Sequence, residues 1–377
     1  MRFSVLDSWR GIAALLVALF RFYADGSLFH LSVIRNAFLF VDFFFVLSGF
    51  VIAHSYLNHL QDLPSLKRFI IRRFGRLWPL HAALFIPFLL FEIARYFGSS
   101  SGTDAPPFTG YRAIGTIPVE LGFMSVLGIY TDIGWNTPAW SISAEFWTYI
   151  LFGLIVLLNY RHIFVAGAVL VLACLLFLFN TSSHGLDVTF ALGLMRCIAG
   201  FFAGVVSYGI WQWVKLNWTD PKLNLGFKLA SLIETLMVFG VGWFVSVAGK
   251  GVMSFAAPFV FGCCVIVFAF EGGIISSVLK KRPFQFFGQL SYSIYMNALL
   301  ISLLVSRVLI WAANKTGLGT IYALDINNKT FSVFSFGQWW VNDLVALMYL
   351  AIVVLVSWVT FRLIEDPSRR FFNRMAG

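Results

Sequence analysis

Charge is scarce in this chain. Of its 377 residues only 12% are Asp, Glu, Lys or Arg, about half the share found in soluble domains, and mean hydropathy is +0.84. That excludes an ordinary soluble globular protein. No polar block is long enough to form a separate domain, so residues 1–377 read as one polytopic unit. Cysteine is rare too: Cys174, Cys197, Cys263 and Cys264 all fall in apolar runs without CxxC spacing, which argues against disulfides and a metal centre. No internal repeat is visible, so nothing here supports an inverted-repeat transporter.

What the chain has instead is apolar runs of about 20 residues, recurring from end to end. They fall at 10–27, 34–56, 77–97, 137–158, 162–179, 189–212, 227–248, 252–271, 286–311 and 338–360. These runs predict an all-α integral membrane protein, a single bundle of about ten transmembrane helices; their length argues against a barrel of short strands. The net charge of +10 is explained by membrane orientation before nucleic acid. Lys67, Arg68, Arg72, Arg73, Arg76, Arg161, Lys215, Lys222, Lys228, Lys280, Lys281, Arg282, Arg362, Arg369, Arg370 and Arg374 fall on one side. The other side has only Arg112, Lys250, Lys315 and Lys329, which predicts both termini in the cytoplasm. The amino terminus resembles a signal peptide but lacks an A-x-A site, so the first span is expected to stay uncleaved. Two long outer loops follow, 98–136 and 312–337. The first opens with the irregular SSSGTDAPPFTG and has a short apolar piece at 115–129 suited to lying against the bilayer.

Ionisable groups are costly in hydrocarbon, so each one inside a span needs a partner or water. Arg21 lies eleven residues beyond Arg10, about 16 Å along a helix and near mid-depth. Asp25 follows at i+4, which leaves two readings open: an ion pair that snorkels outward, or a polar cavity lined by Arg21. Arg35 and Asp42 stand two helical turns apart in the second span, and Ser48 with Gly49 offers a hydroxyl beside a point of close approach. His54 and His81 read first as interfacial structural residues, although imidazole can also act as a base. In NTPAWSISAEFWTYI, Pro138 suits a helix start, and Ser141, Glu145 and Thr148 or Tyr149 make a polar stripe along an apolar helix. Glu145 is therefore expected in a buried network, with Trp140 and Trp147 mainly packing. Glu234, Glu271, Arg196, Arg307 and Asp343 are further candidates. The basic segment KRFIIRRFGRLWPLH, 67–81, can anchor to anionic headgroups, at about 1 kcal/mol per basic residue, or clamp the phosphates of a cytosolic donor.

LDSWRGIAALLVALF, VDFFFVLSGF, RRFGRLWPL, WSISAEFW, FGQLSYSIYM and FRLIEDPSRR, in that order, resemble the motifs of the membrane-bound acyltransferase 3 family. Members of that family O-acylate bacterial surface polysaccharides, lipopolysaccharide, nodulation factors and some antibiotics. The motifs run from Leu6 to Arg370, nearly the whole chain. The resemblance implies acyl transfer, usually of acetyl, from acetyl-CoA or another acyl-CoA on the cytoplasmic side of the bacterial inner membrane. The acceptor is a hydroxyl of an exported carbohydrate or glycolipid; the expected partners are these substrates and membrane lipids, without metal or nucleic acid. Together with the buried-charge reading, it makes Arg21, Glu145, Arg10, Asp25 and Asp42 the catalytic candidates. Arg10, Arg72, Arg73 and Arg76 are the candidates for the donor, and Asn136, Trp140, Ser141, Tyr149, Arg35, Tyr292 and Tyr295 those for the acceptor.

Two positions depart from the family pattern. A histidine treated as the catalytic base is expected where Arg21 stands, and another where Ala298 stands. A guanidinium stays protonated at neutral pH and cannot accept the acceptor hydroxyl's proton, so a carboxylate would have to do so. The resemblance therefore implies an acyltransferase scaffold with three accounts open: an inactive or reassigned member, a sequence altered from a histidine-bearing parent, or an active variant using Glu145, Asp25 or Asp42 as its base. A non-catalytic binding protein and a glycan or lipid transporter are the competing readings.

Overall fold

The computed structural model describes residues 3–98, 106–130, 134–218, 226–317, 319–326 and 329–377. Most of SSSGTDAPPFTG and Lys222 lie outside the described residues. Hydrocarbon offers no partner to backbone N–H and C=O groups, so apolar runs close their own hydrogen bonds as helices. The ten predicted runs become α1 (Ser4–Phe20), α2 (Phe40–Tyr56), α3 (Leu63–Phe97), α4 (Ala139–Asn159), α5 (Ile163–Thr181), α6 (Phe190–Trp218), α7 (Phe227–Ala248), α8 (Ala257–Ala269), α9 (Arg282–Thr316) and α10 (Trp339–Thr360). A terminal helix, α11 (Asp366–Met375), follows a π-helical turn at Phe361–Glu365.

Eight helical stretches among the described residues are long and apolar enough to cross a membrane, against the ten expected. Continuity and length account for the difference. Ala139–Thr181 is one stretch in which the 3-10 turn Tyr160–His162 joins α4 to α5, and α1 has only 17 residues, about 26 Å by helical rise.

Three boundaries also depart from expectation. The first span stops at Phe20, with Arg21 as its C-cap. The second does not begin at residue 34: Arg35 ends a separate four-residue helix, and a 3-10 turn intervenes before α2. Arg35 and Asp42 therefore do not share a helix face. The third starts at Leu63, because Asp62 caps it by accepting from the Ser65 backbone N–H at 2.8 Å while Ser65 returns the bond. The basic segment is thus the first half of a 35-residue helix. The segment 312–337 contains an antiparallel hairpin, β1 (Thr320–Ile326) paired with β2 (Lys329–Ser335), so among the described residues the fold is a helical bundle with one small sheet. In the segment 98–136 the apolar piece forms short turns and the helix Ile117–Leu121.

Small residues set the tightest contacts. A Cβ on Gly49 of α2 would come within 1.8 Å of the Phe201 carbonyl of α6, and one on Gly204 of α6 within 1.9 Å of the Val46 carbonyl. Gly11 of α1 and Gly288 of α9 meet in the same way. Such close approach replaces the hydrophobic drive that lipid cannot supply between helices.

Candidate active site

Five helices open onto one cavity. Arg10 of α1, Ser48 of α2, Arg73 and Arg76 of α3, Glu145 and Tyr149 of α4, and Ser291, Tyr292 and Tyr295 of α9 contribute its polar lining. Helical periodicity gathers them: Ser141, Glu145 and Tyr149 repeat every four residues, and Ser291 and Tyr295 do the same.

Glu145 sits among hydroxyls. Its Oε1 accepts from Ser48 Oγ at 2.5 Å and from the Tyr149 hydroxyl, and those two hydroxyls are 2.8 Å apart. Among the described residues Oε2 accepts no hydrogen bond, and Glu145 is the one acidic side chain lining the cavity. Arg10 donates from Nε to Ser291 Oγ at 2.7 Å and from Nη2 to the Gly288 carbonyl at 3.2 Å. Arg73 donates to the Tyr56 hydroxyl at 3.0 Å and lies over the Tyr56 and Tyr149 rings. Three guanidiniums facing one carboxylate make the lining cationic, which suits a polyanion. At the far end Ser141 Oγ and the Tyr295 hydroxyl are 2.8 Å apart, and Tyr292 donates to the Leu77 carbonyl at 2.5 Å, tying α9 to α3.

Other predicted residues lie elsewhere. Arg21 does not line the cavity; its charge reaches the Tyr295 hydroxyl behind the wall, its Nε is buried without a hydrogen-bond partner, and its carbonyl accepts from Ser302 at 2.7 Å. The Arg21–Asp25 ion pair is not formed among the described residues. With α1 ended at Phe20 the two no longer lie on successive helical turns, and Asp25 instead accepts from His30 at 2.8 Å. That bond holds the Asp25 carboxyl below its usual range. Asp42 is taken by Arg196 in a bidentate pair, at 2.9 and 2.7 Å, with both side chains buried. Trp140 packs over Arg196, 5.5 Å from ring centroid to guanidinium, and Arg35 is exposed. Asn136 is buried, donating to the Met296 carbonyl at 3.4 Å, and Arg72 donates to the carbonyl of Gly377 at 2.8 Å. His54 packs among Phe3, Tyr208 and Trp211, while His81 stacks on Phe123. Ala298 is wholly buried, its carbonyl accepting from the Tyr349 hydroxyl at 3.0 Å.

Two further residues carry little signal in the sequence, Ser291 in the cavity lining and Glu365 beside it. Ser291 lies one turn before Tyr295, inside a motif in which the tyrosines are the stronger signal. Glu365, buried on the π-helical turn, accepts from Ser293 at 2.6 Å and lies within electrostatic reach of Arg76 and Arg10. Its signal was an acid beside Asp366 in FRLIEDPSRR.

The profile of the acyltransferase 3 family, described as an acyltransferase domain, matches residues 3–362. The chain belongs to this family. The match takes in every helix that lines the cavity of this acyltransferase family member. It is 34% identical over 167 residues to the acyltransferase MdmB of Streptomyces mycarofaciens, covering 41% of this chain and 39% of that protein. It is also 33% identical over 129 residues to protein 2 in the picA locus of Rhizobium radiobacter, covering 34% of this chain and 63% of that protein. The chain thus spans less than two thirds of the length of these relatives. No solved structure matches. Family membership and the long apolar helices make this a multi-pass membrane protein of acyltransferase type.

Proposed function

We propose that the chain is an acyl-CoA-dependent O-acyltransferase of the bacterial inner membrane, with both termini cytoplasmic, acting on a hydroxyl of an exported carbohydrate or glycolipid. The observation that carries the reading is Glu145, the acidic side chain facing a cavity lined by Arg10, Arg73 and Arg76. Of the three carboxylates open to the role in the sequence, Asp42 is committed to Arg196 and Asp25 to His30, which leaves Glu145.

The acyl-CoA supplies the acyl group and a thiol leaving group. Arg73 and Arg76 hold its phosphates, while Arg10 is steadied by Ser291 and Gly288 and orients the thioester end. Ser48 and Tyr149 fix the Glu145 carboxylate by donating to Oε1. Oε2 then accepts the proton of the acceptor hydroxyl as its oxygen bonds to the acyl carbon and the carbon–sulfur bond breaks. Glu145 returns that proton to the departing thiolate, so the carboxylate is regenerated. Ser141 and Tyr295 position the acceptor.

Arg21 supplies no proton acceptor and does not line the cavity, so on this reading the proton transfer falls to Glu145 alone. Arg21 also supports a second reading, a family member that binds donor and acceptor without transferring the acyl group. Purified protein given radiolabelled acetyl-CoA tests both. Binding is expected in the protein itself and in E145Q, and is lost in R73A/R76A; unchanged binding in R73A/R76A removes the donor assignment. Transfer to a glycan acceptor is expected to fall at least about 100-fold in E145Q, the order of one general base, and to rise in R21H. No transfer by either the parent or R21H, with binding intact, favours the binding protein.

A further inference from the structure

Arg76 is the least committed of the three cavity guanidiniums. Arg10 donates to Ser291 and Gly288 and Arg73 to Tyr56, whereas Arg76 makes no hydrogen bond and no ion pair among the described residues. A guanidinium among packed helices needs a counter-charge. Two carboxylates lie within electrostatic reach of it, Glu145 on α4 and Glu365 on the π-helical turn, and neither closes to ion-pair distance. The two are held alike. Each is fixed through one oxygen by neighbouring hydroxyls, Glu145 Oε1 by Ser48 and Tyr149 and Glu365 Oε2 by Ser293 at 2.6 Å, and the second oxygen of each accepts no hydrogen bond among the described residues.

Local structure brings Glu365 to this place. The buried face of α10 repeats at Asn342, Ala346, Tyr349, Val353 and Ser357, and at α-helical pitch it would next fall near residues 360–361 and 364. The wider π-helical turn at Phe361–Glu365 delays that face by a residue and puts Glu365 on it, buried. Two contacts then set the carboxyl beside Arg76. Tyr292, next to the Ser293 that holds Glu365, donates to the carbonyl of Leu77, next to Arg76. On the other side, a Cβ on Gly75 would come within 2.1 Å of the Phe372 Cβ, so α11 is pressed against α3 one residue before Arg76. The other cations in reach of Glu365 are occupied: Arg369 pairs with Asp366 at 2.6 Å, and Arg10 is bonded to α9.

We infer that Glu365 is a positioning residue for the donor: it holds Arg76 away from Glu145, so that the guanidinium meets the acyl-CoA phosphates and the free oxygen of Glu145 stays open to the acceptor hydroxyl. Without the Glu365 charge the balance fails. Arg76 then closes on Glu145, in an ion pair strengthened by the low dielectric between helices, and the phosphates must break that pair to bind. This role rests on the donor assignment of Arg76 made above.

CoA itself is the probe, because its binding needs no turnover. Full-length protein purified in detergent is titrated with CoA by calorimetry, with the melting temperature of each variant as the control for folding. R76Q is expected to weaken binding about tenfold or more, the order of one charge-assisted hydrogen bond. E365Q, which keeps the bond from Ser293, should weaken it by a similar factor, E365D should restore most of it, and E365Q added to R76Q should cost nothing further. Undiminished or tighter binding in E365Q overturns the role, because Glu365 is then only a charge that repels the phosphates. Losses in E365Q and R76Q that multiply, or no rescue by E365D, make Glu365 structural and overturn it as well. If E365Q does not fold, S293A decides: it keeps the charge but frees the carboxylate, and is expected to weaken CoA binding only where Arg76 is present, whereas unchanged binding overturns the role. Undiminished binding in R76Q, or none by the unsubstituted protein, removes the donor assignment itself; a loss in R76Q alone removes only the role of Glu365.

Discussion

Asp42 and Glu145 look alike in the sequence, each a lone acid in an apolar helix. Their partners separate them. Asp42 meets Arg196, 154 residues away, and both are buried; removing one member of such a pair costs about 3–5 kcal/mol because the other charge is left uncompensated. D42N is therefore expected to lower the melting temperature in detergent markedly, with any loss of transfer tracking the loss of folded protein. Abolished transfer at an unchanged melting temperature would instead return Asp42 to the chemistry. Glu120 behaves differently again. It lies on the short helix Ile117–Leu121 between α3 and α4, where burial pushes its carboxyl up to about 8, with a hydrogen bond from the Asn136 backbone opposing the shift. The folded chain then holds a proton that the unfolded chain releases near pH 4.5, so its contribution is fully present below that pH and is lost as pH rises to about 8. The melting temperature relative to E120Q should fall from pH 5 to 8 and level off above. A difference that is flat across that range rules the buried proton out.

At the scale of elements, the contact of α2 with α6 fixes the helix that brings Ser48 to the cavity. Gly49 stands one residue after Ser48, so the helix that carries the hydroxyl to Glu145 is fixed by a backbone contact with Phe201. G49V forces the two helices apart. Overpacking of this kind costs about 1–3 kcal/mol, and transfer should fall because Ser48 moves away from Glu145. G240V is the control, since a Cβ there meets nothing within 4 Å; equal losses of melting temperature in both variants would show that the α2–α6 contact is not limiting. The apolar helices were legible in the sequence because each is defined by its own run. Their ends were not: the stop of α1 at Phe20, the break before α2 and the hairpin of β1 with β2 depend on local caps and on pairing between distant segments. The register of Ala24 beside Phe334 is such a pairing, and it draws Asp25 away from Arg21.

For the whole molecule, the asymmetry of basic residues gives a direct expectation. Arg73, Arg76 and the α11 arginines are expected on the cytoplasmic face, and Arg112 on the other. A fluorescent protein fused after Gly377 should therefore fluoresce, while alkaline phosphatase fused at the same point should be inactive and become active when inserted near residue 110. The reverse pattern inverts the orientation and overturns the proposed donor role of the Arg73 and Arg76 cavity, which would then lie on the wrong side of the membrane for acyl-CoA.

The sequence by itself determined the class of protein, the place of each apolar helix, the family and the polar stripe bearing Glu145. These depend on composition, on helical period and on ordered motifs, all of which are local along the chain. Only the tertiary structure decided which partner each buried charge meets. Ser48 meets Glu145 across 97 residues, and Arg10 meets Ser291 across 281. In hydrocarbon a charge must find its partner wherever the packed helices bring one, and sequence spacing does not record which helices are neighbours.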